Sequence, residues 1–169
     1  MASIGSALPM AIGASFAKPD VPVVVIVGDG GFQLNIQELQ TVYHHTLPLK
    51  IILLNNCGYG MIKQFQEQYF NSRFQSSGIG YSNPDFQDVV RAYKISTKKI
   101  ANNDEILPAL RSLFSDRCPG FLEVVIDEKS RVSPKLSVNR PVEDQEPQLP
   151  REELKANMII DLLPESEQP

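Results

Sequence analysis

The apolar positions of the chain fall into two alternating patterns. Residues 21–27 are an almost unbroken β-branched run, and residues 49–54, 95–100 and 121–126 repeat the type. Short runs without polar alternation predict strands buried on both faces. Between them, helical spacing predicts helices at about residues 35–45, 59–69, 85–93 and 104–114. Ahead of the first strand, residues 3–16 read as a helix rich in small side chains, Ala7, Ala11, Gly13 and Ala14, which permit close backbone packing. Strand and helix in alternation predict an α/β fold with a parallel sheet and helices on both faces, because parallel strands need long crossovers and those crossovers cover the sheet. Ligands of such sheets bind beyond the carboxyl ends of the strands, so chemistry is expected first in the turns after Val27 and Leu54.

Composition narrows this picture. The 169 residues are 42% hydrophobic and 21% charged, which is ordinary globular material and excludes disorder, collagen and coiled coil for the whole chain. A net charge of −4 provides no broad basic footprint, so nucleic acid is not an expected partner. No apolar run approaches the ~18–20 residues a bilayer requires, and no cationic region precedes the first apolar residues; a soluble, unexported chain without a membrane partner is expected. Cys57 and Cys118 have no CxxC spacing and cannot make a disulfide framework, which fits a reducing, cytoplasmic setting.

The charge is unevenly spread. Residues 140–169 carry three basic side chains against eight acidic ones, and five of the 13 prolines. This stretch reads as a tail. Leu154, Met158, Ile159 and Leu162 predict a short amphipathic helix over residues 151–163 that could dock on the domain, and a solvated end fits the same residues.

The first turn reads Gly28-Asp29-Gly30-Gly31, between a strand and a helix. Glycines let a phosphate approach the backbone, and the N–H groups opening the next helix favour an anion. Asp29 opposes a bare phosphate, so a divalent cation between the two is the sensible chemistry, Mg²⁺ being suited to hard oxygen ligands. Gly-Asp-Gly also makes ordinary turns. The second turn, Asn55-Asn56-Cys57-Gly58-Tyr59-Gly60-Met61, offers the Asn56 amide oxygen and a main-chain carbonyl to the same cation, although asparagines before glycine are common turn residues as well.

Taken together, a Gly-Asp-Gly and an Asn-Asn at the ends of successive strands, 27 positions apart from Asp29 to Asn56, resemble the binding motif of the thiamine diphosphate-dependent enzymes. Ser3-Ile4-Gly5, Gln37-Glu38-Leu39, Leu53 through Met61, Asn83-Pro84-Asp85-Phe86 and Cys118 through Val124 extend the likeness to the acetolactate synthase branch, over about residues 1–135. The resemblance implies a thiamine diphosphate- and Mg²⁺-binding domain at 1–135, followed by an acidic, proline-containing tail at 136–169. It implies Asp29, Asn56 and the Gly58 carbonyl as metal ligands, and backbone N–H groups of Gly30 and Gly31, after Gly28, on the diphosphate. Tyr59, Gly60 and Met61 close around the cofactor, Ile4 wedges beneath it, and the Ala2 carbonyl meets its amino group. The implied activity is decarboxylation of a 2-oxo acid and ligation of the resulting enamine to a second carbonyl compound.

The departures from the family are equally specific. Its activating glutamate comes from a separate pyrimidine-binding domain or subunit, and neither Glu38 nor Glu67 replaces it, so the 169 residues alone are expected to be inactive. A non-catalytic remnant, a split-enzyme subunit and a 2-oxo acid decarboxylase are the alternatives. Ile62 matches the apolar residue of the synthases, whereas Phe65 stands where they tend to carry tryptophan; both are candidates for the substrate pocket. Association into a homo-oligomer, at its simplest a dimer, is expected of a domain that closes half of an interfacial site. His44 and His45 read as a helix end, Cys57 as unreactive, and the polar face of Lys63, Gln64, Gln66, Glu67 and Gln68 as solvated or in a subunit contact.

Overall fold

A computed structural model describes residues 3–166, which divide between Ser130 and Arg131 into two compact units. The first holds a four-stranded sheet, β1 (Val23–Gly28), β2 (Leu49–Asn55), β3 (Ser96–Ile100) and β4 (Gly120–Val125), all parallel in the order β1-β2-β4-β3. The central strand β2 has Leu49, Ile51 and Leu53 fully buried, in register with Val23, Val25 and Val27 of β1. Those side chains form the main core with Leu8, Ala11 and Ile12 of α1 (Ala7–Ala17), Leu39 and Val42 of α3 (Leu39–His44), and Phe86 and Val90 of α5 (Phe86–Ala92). On the other face Leu122 and Ile100 pack against Ala109 of α6 (Ile106–Leu113). Helices on both faces of a parallel sheet are what the alternation predicted.

Two strands are less buried than expected. In β1 exposure alternates, with Val24 46% and Ile26 62% exposed, because β1 ends the sheet order and α1 packs on its other face. Strand β3 is the opposite edge and leaves Ser96, Lys98 and Lys99 in solvent. Inside the buried strand β2, Lys50 is only 1% exposed; its ammonium donates to Asp116 Oδ1 at 3.1 Å and the Cys118 carbonyl at 2.7 Å, which resolves the burial of that charge.

The helices also shift from their sequence-predicted limits. The first starts at Ala7, after a turn in which Gly5 has φ +92°. Residues 35–45 split into a 3₁₀ turn, Ile36–Glu38, and α3, while Asp29–Gln33 form a short helix, α2, where a turn was expected. The helix α4 covers Gly60–Tyr69, and Asp85 caps α5 by accepting from the N–H groups of Gln87 and Asp88. Before α6, Asn102 and Glu105 form a reciprocal capping box.

The second unit is organised rather than a plain tail. It contains an antiparallel ribbon of β5 (Lys135–Leu136) and β6 (Gln145–Glu146), and α7 (Arg151–Asn157), which stops six residues short of the predicted end because Met158 turns extended. Asp144 is buried between the guanidinium groups of Arg140 and Arg151, and Arg151 Nη1 also donates to the Ser166 carbonyl at 2.9 Å. Glu143 accepts from Leu163 N–H and the Ser166 hydroxyl, both at 3.1 Å.

Two predictions follow from these cores. Ile51→Ala should lower the unfolding free energy by about 2–5 kcal/mol in denaturant titration, because a fully buried side chain of the central strand leaves a cavity. The Arg151 hydrogen bond holds the Asp144 carboxyl below the usual carboxylate range against the opposing effect of burial. A depressed folded value stabilises above the ordinary Asp pKa of about 3.9 and is lost as pH falls through it. Amide exchange of residues 131–166 should therefore accelerate below about pH 4 relative to its intrinsic rate, and Asp144→Asn should weaken that dependence, leaving the part due to Glu143.

Candidate functional site

Both sequence motifs end adjacent parallel strands, so the register of β1 against β2, Gly28 opposite Leu54, brings Asp29 and Asn56 to one end of the sheet. Asp29 is 1% exposed. Its Oδ2 accepts three hydrogen bonds, from Gly58 N–H at 2.9 Å, the Tyr81 hydroxyl at 2.9 Å and Asn83 Nδ2 at 3.1 Å. All three donors are neutral, so the carboxylate is solvated by the fold without its charge being matched by a side-chain cation among its described partners.

The other oxygen faces the second motif. One terminal atom of the Asn56 amide lies 3.0 Å from Asp29 Oδ1 and 2.8 Å from the Gly58 carbonyl oxygen. With nitrogen at that place the amide donates to both; with oxygen there, three oxygens face one another. Mg²⁺ binds oxygen at about 2.0–2.1 Å, so neighbouring ligands of its octahedron lie about 2.8–3.0 Å apart. The Asn56 amide atom therefore stands from Asp29 Oδ1 and from the Gly58 oxygen at the spacing of neighbouring ligands in a Mg²⁺ shell. Among the described residues no three His, Cys, Asp or Glu gather into a metal cluster; this set has one carboxylate and draws its other ligands from an amide and the backbone.

Glycine is required here by close approach. A Cβ on Gly30 would fall 2.4 Å from the Tyr59 ring, and one on Gly58 would fall 2.7 Å from the Ser77 carbonyl. Ser77 also accepts Tyr59 N–H at 3.1 Å, and Tyr59 stands edge-on to Tyr81 with centroids 5.0 Å apart. Around Gly28 the equivalent space is open, and Ile4, 51% exposed, lies 3.9 Å from where a Gly31 Cβ would be. Ala2 lies outside the described residues. Gly60 opens α4, where its absent Cβ clears the far end of the Asn56 amide, and Met61, Ile62 and Phe65 are exposed along that helix.

A second network supports the first. Asn55 Oδ1 accepts from Cys57 N–H at 3.0 Å and Asn83 Nδ2 at 2.8 Å, and its amide donates to the buried Glu123 at 2.8 Å. Glu123 also accepts from Gln87 and pairs with Lys99 at 3.0 Å, while Thr97 donates to Gln87. The chain segment after α4 turns two residues of its predicted solvated face inward. Lys63 is 9% exposed with its ammonium 3.5 Å from the Glu128 carbonyl, and Gln66 bonds the Gln75 carbonyl and the Ser77 hydroxyl. Cys57 and both histidines are exposed; His45 packs edge-on to Phe16.

Sequence reasoning missed Tyr81, Ser77, Gln33 and the structural role of Asn55. Asn83 and Glu123 lay within matching stretches, but Tyr81 and Ser77 sit in a loop with no periodicity. Burial and the hydrogen bond to Asp29 push the Tyr81 phenol well above its usual value, so it remains a donor. Asn55→Ala should cost about 1–3 kcal/mol in denaturant unfolding, since Glu123 and Cys57 N–H each lose a partner; an unchanged midpoint would exclude this support for the loop.

The chain is similar to known proteins in sequence and fold. The model of the thiamine pyrophosphate enzyme C-terminal TPP binding domain matches residues 1–124. The chain is 40% identical over 134 residues to the acetolactate synthase isozyme 2 large subunit of Escherichia coli, covering 79% of this chain and 24% of that protein. It is 35% identical over 136 residues to the acetolactate synthase large subunit of Lactococcus lactis, covering 80% and 23%. The thiamine diphosphate-dependent 4-hydroxybenzoylformate decarboxylase of Rhodococcus jostii matches with a TM-score of 0.68 and 26% identity, over 75% of this chain and 24% of that one. The chain thus spans about a quarter of the length of the curated relatives it matches. With the motif residues gathered at one end of the parallel sheet and the domain model covering that sheet, the chain belongs to the thiamine pyrophosphate enzymes, through their C-terminal cofactor-binding domain.

Proposed function

We propose that residues 1–135 are the diphosphate- and Mg²⁺-binding domain of an acetolactate synthase-like enzyme, a transferase that decarboxylates a 2-oxo acid and joins the remaining acyl unit to a second carbonyl compound. The observation that carries this reading is the Asn56 amide lying 2.8 Å from the Gly58 carbonyl oxygen and 3.0 Å from Oδ1 of the buried Asp29 carboxylate. Thiamine diphosphate supplies the electron sink that decarboxylation requires. The protein's part is placement. Asp29, Asn56 and Gly58 hold the cation that neutralises the diphosphate, and the N–H groups of Gly30 and Gly31, following Gly28, take its oxygens. Ile4, beside Gly31, supports the cofactor from below, and Tyr59, Gly60 and Met61 form the opposite wall. Ile62 and Phe65, exposed on α4, contribute to the substrate pocket.

The remaining parts come from elsewhere. The activating carboxylate belongs to a pyrimidine-binding domain or subunit, so the 169 residues alone do not turn over a 2-oxo acid, and the working form is a homo-oligomer, at its simplest a dimer, in the cytoplasm. No helix among the described residues is long and apolar enough to cross a membrane. Similarity to the 4-hydroxybenzoylformate decarboxylase supports a second reading, a 2-oxo acid decarboxylase. With a pyrimidine-binding domain supplied, a free aldehyde product marks the decarboxylase and a 2-hydroxy-3-oxo acid the synthase; cofactor binding without turnover marks a non-catalytic module.

Calorimetric titration of thiamine diphosphate into the chain tests the shared core of these readings. Binding should require Mg²⁺, vanish on chelation and be lost in Asp29→Ala. Binding that ignores the metal or the substitution would reject the site.

A further inference from the structure

The carboxylate of Asp29 is divided between two tasks. Its Oδ2 carries three donors, Gly58 N–H, Tyr81 O–H and Asn83 N–H, although a carboxylate oxygen has about two lone-pair positions. Among the described residues Oδ1 has the Asn56 amide as its one hydrogen-bond partner, which gives way to an oxygen when the amide is turned. A cation that binds one carboxylate oxygen meets a free Oδ1. A cation that takes both oxygens must displace charge-assisted hydrogen bonds from Oδ2. Ca²⁺ commonly does take both, accepting six to eight oxygens at about 2.3–2.6 Å, which separates neighbouring ligands by about 3.3–3.7 Å on an octahedron. Neither property suits a triad spaced at 2.8 and 3.0 Å.

The geometry points to Tyr81, fixed by Gln33, as a positioning residue that confines the metal to Asp29 Oδ1 and thereby makes this site select Mg²⁺ over Ca²⁺. The inference rests on reading Asp29, Asn56 and Gly58 as a cation site. Gln33 Nε2 donates to the Tyr81 oxygen at 3.0 Å and stands 3.3 Å from Asn83 Oδ1, so the tyrosine hydrogen is directed to Asp29 rather than to the glutamine. The Tyr59 ring braces the Tyr81 ring from the side. Gly58 N–H is held within the motif itself, and Asn83 also serves Asn55, which leaves the Tyr81 hydroxyl as the donor whose described hydrogen bonds are confined to Asp29 and Gln33.

The test is a binding measurement on the full chain, independent of turnover. Thiamine diphosphate is titrated calorimetrically with equal concentrations of Mg²⁺ or Ca²⁺ into the wild type, Tyr81→Phe and Gln33→Leu, each with its thermal midpoint recorded. The wild type should bind more tightly with Mg²⁺. Tyr81→Phe should reduce the ratio of Mg²⁺- to Ca²⁺-supported affinity about tenfold, the scale expected of outer-shell partners of metal ligands. Gln33→Leu should reduce it in the same direction by a smaller factor, and this variant decides the matter if Tyr81→Phe does not fold. Equal weakening with both metals, an unchanged ratio, or a wild-type preference for Ca²⁺ overturns the inference while leaving the cation site standing. Metal-independent binding in the wild type, or no binding even with a pyrimidine-binding domain supplied, removes the cation-site reading and this inference with it.

Discussion

A carboxylate buried without a cationic partner organises one end of this domain. Removing Asp29 from water costs several kcal/mol unless hydrogen bonds replace the lost hydration, and the replacement comes from segments far apart in the chain. Gly58 belongs to the turn after β2, while Tyr81 and Asn83 belong to the loop before α5. One side chain therefore ties three connections together. The charge itself is left unmatched among its described partners, and this is the electrostatic condition under which a divalent cation gains most by binding.

Adjacent asparagines divide the work of holding that arrangement. Asn55 turns into the fold and connects the motif loop to Glu123 of β4, and through Gln87 and Thr97 to α5 and β3. Asn56 turns to Asp29 and Gly58. The first asparagine ties the loop to the sheet and the second turns its amide to Asp29, so the position of that amide depends on hydrogen bonds buried beneath it.

Apolar surface remains uncovered on several elements of this unit. Val24 and Ile26 project from β1, Met10 and Phe16 from α1, and Met61, Phe65, Tyr69 and Phe70 from α4 or just after it. Isolated apolar residues are common on protein surfaces, but side chains concentrated on a sheet edge and two helices mark faces suited to contact.

The sequence alone determined the class of fold, the order of its main strands and helices, and the two motif turns, because these depend on local signals: β-branched runs, helical spacing, and glycine with asparagine at strand ends. Tertiary structure decided the rest. Whether residues 23–28 and 96–100 were central or edge strands depended on the order β1-β2-β4-β3, which no local pattern encodes, and so their burial was overestimated. The same holds for Lys63 and Gln66, whose polar character suggests solvent until the loop around Ser77 folds against them. Residues 131–169 look like a tail by charge and proline content, but the pairing of Asp144 with Arg140 and Arg151 gathers them into a unit. Tyr81 shows the limit most plainly: its role arises from a hydroxyl meeting a carboxylate 52 positions away, a relation that exists only once the chain is folded.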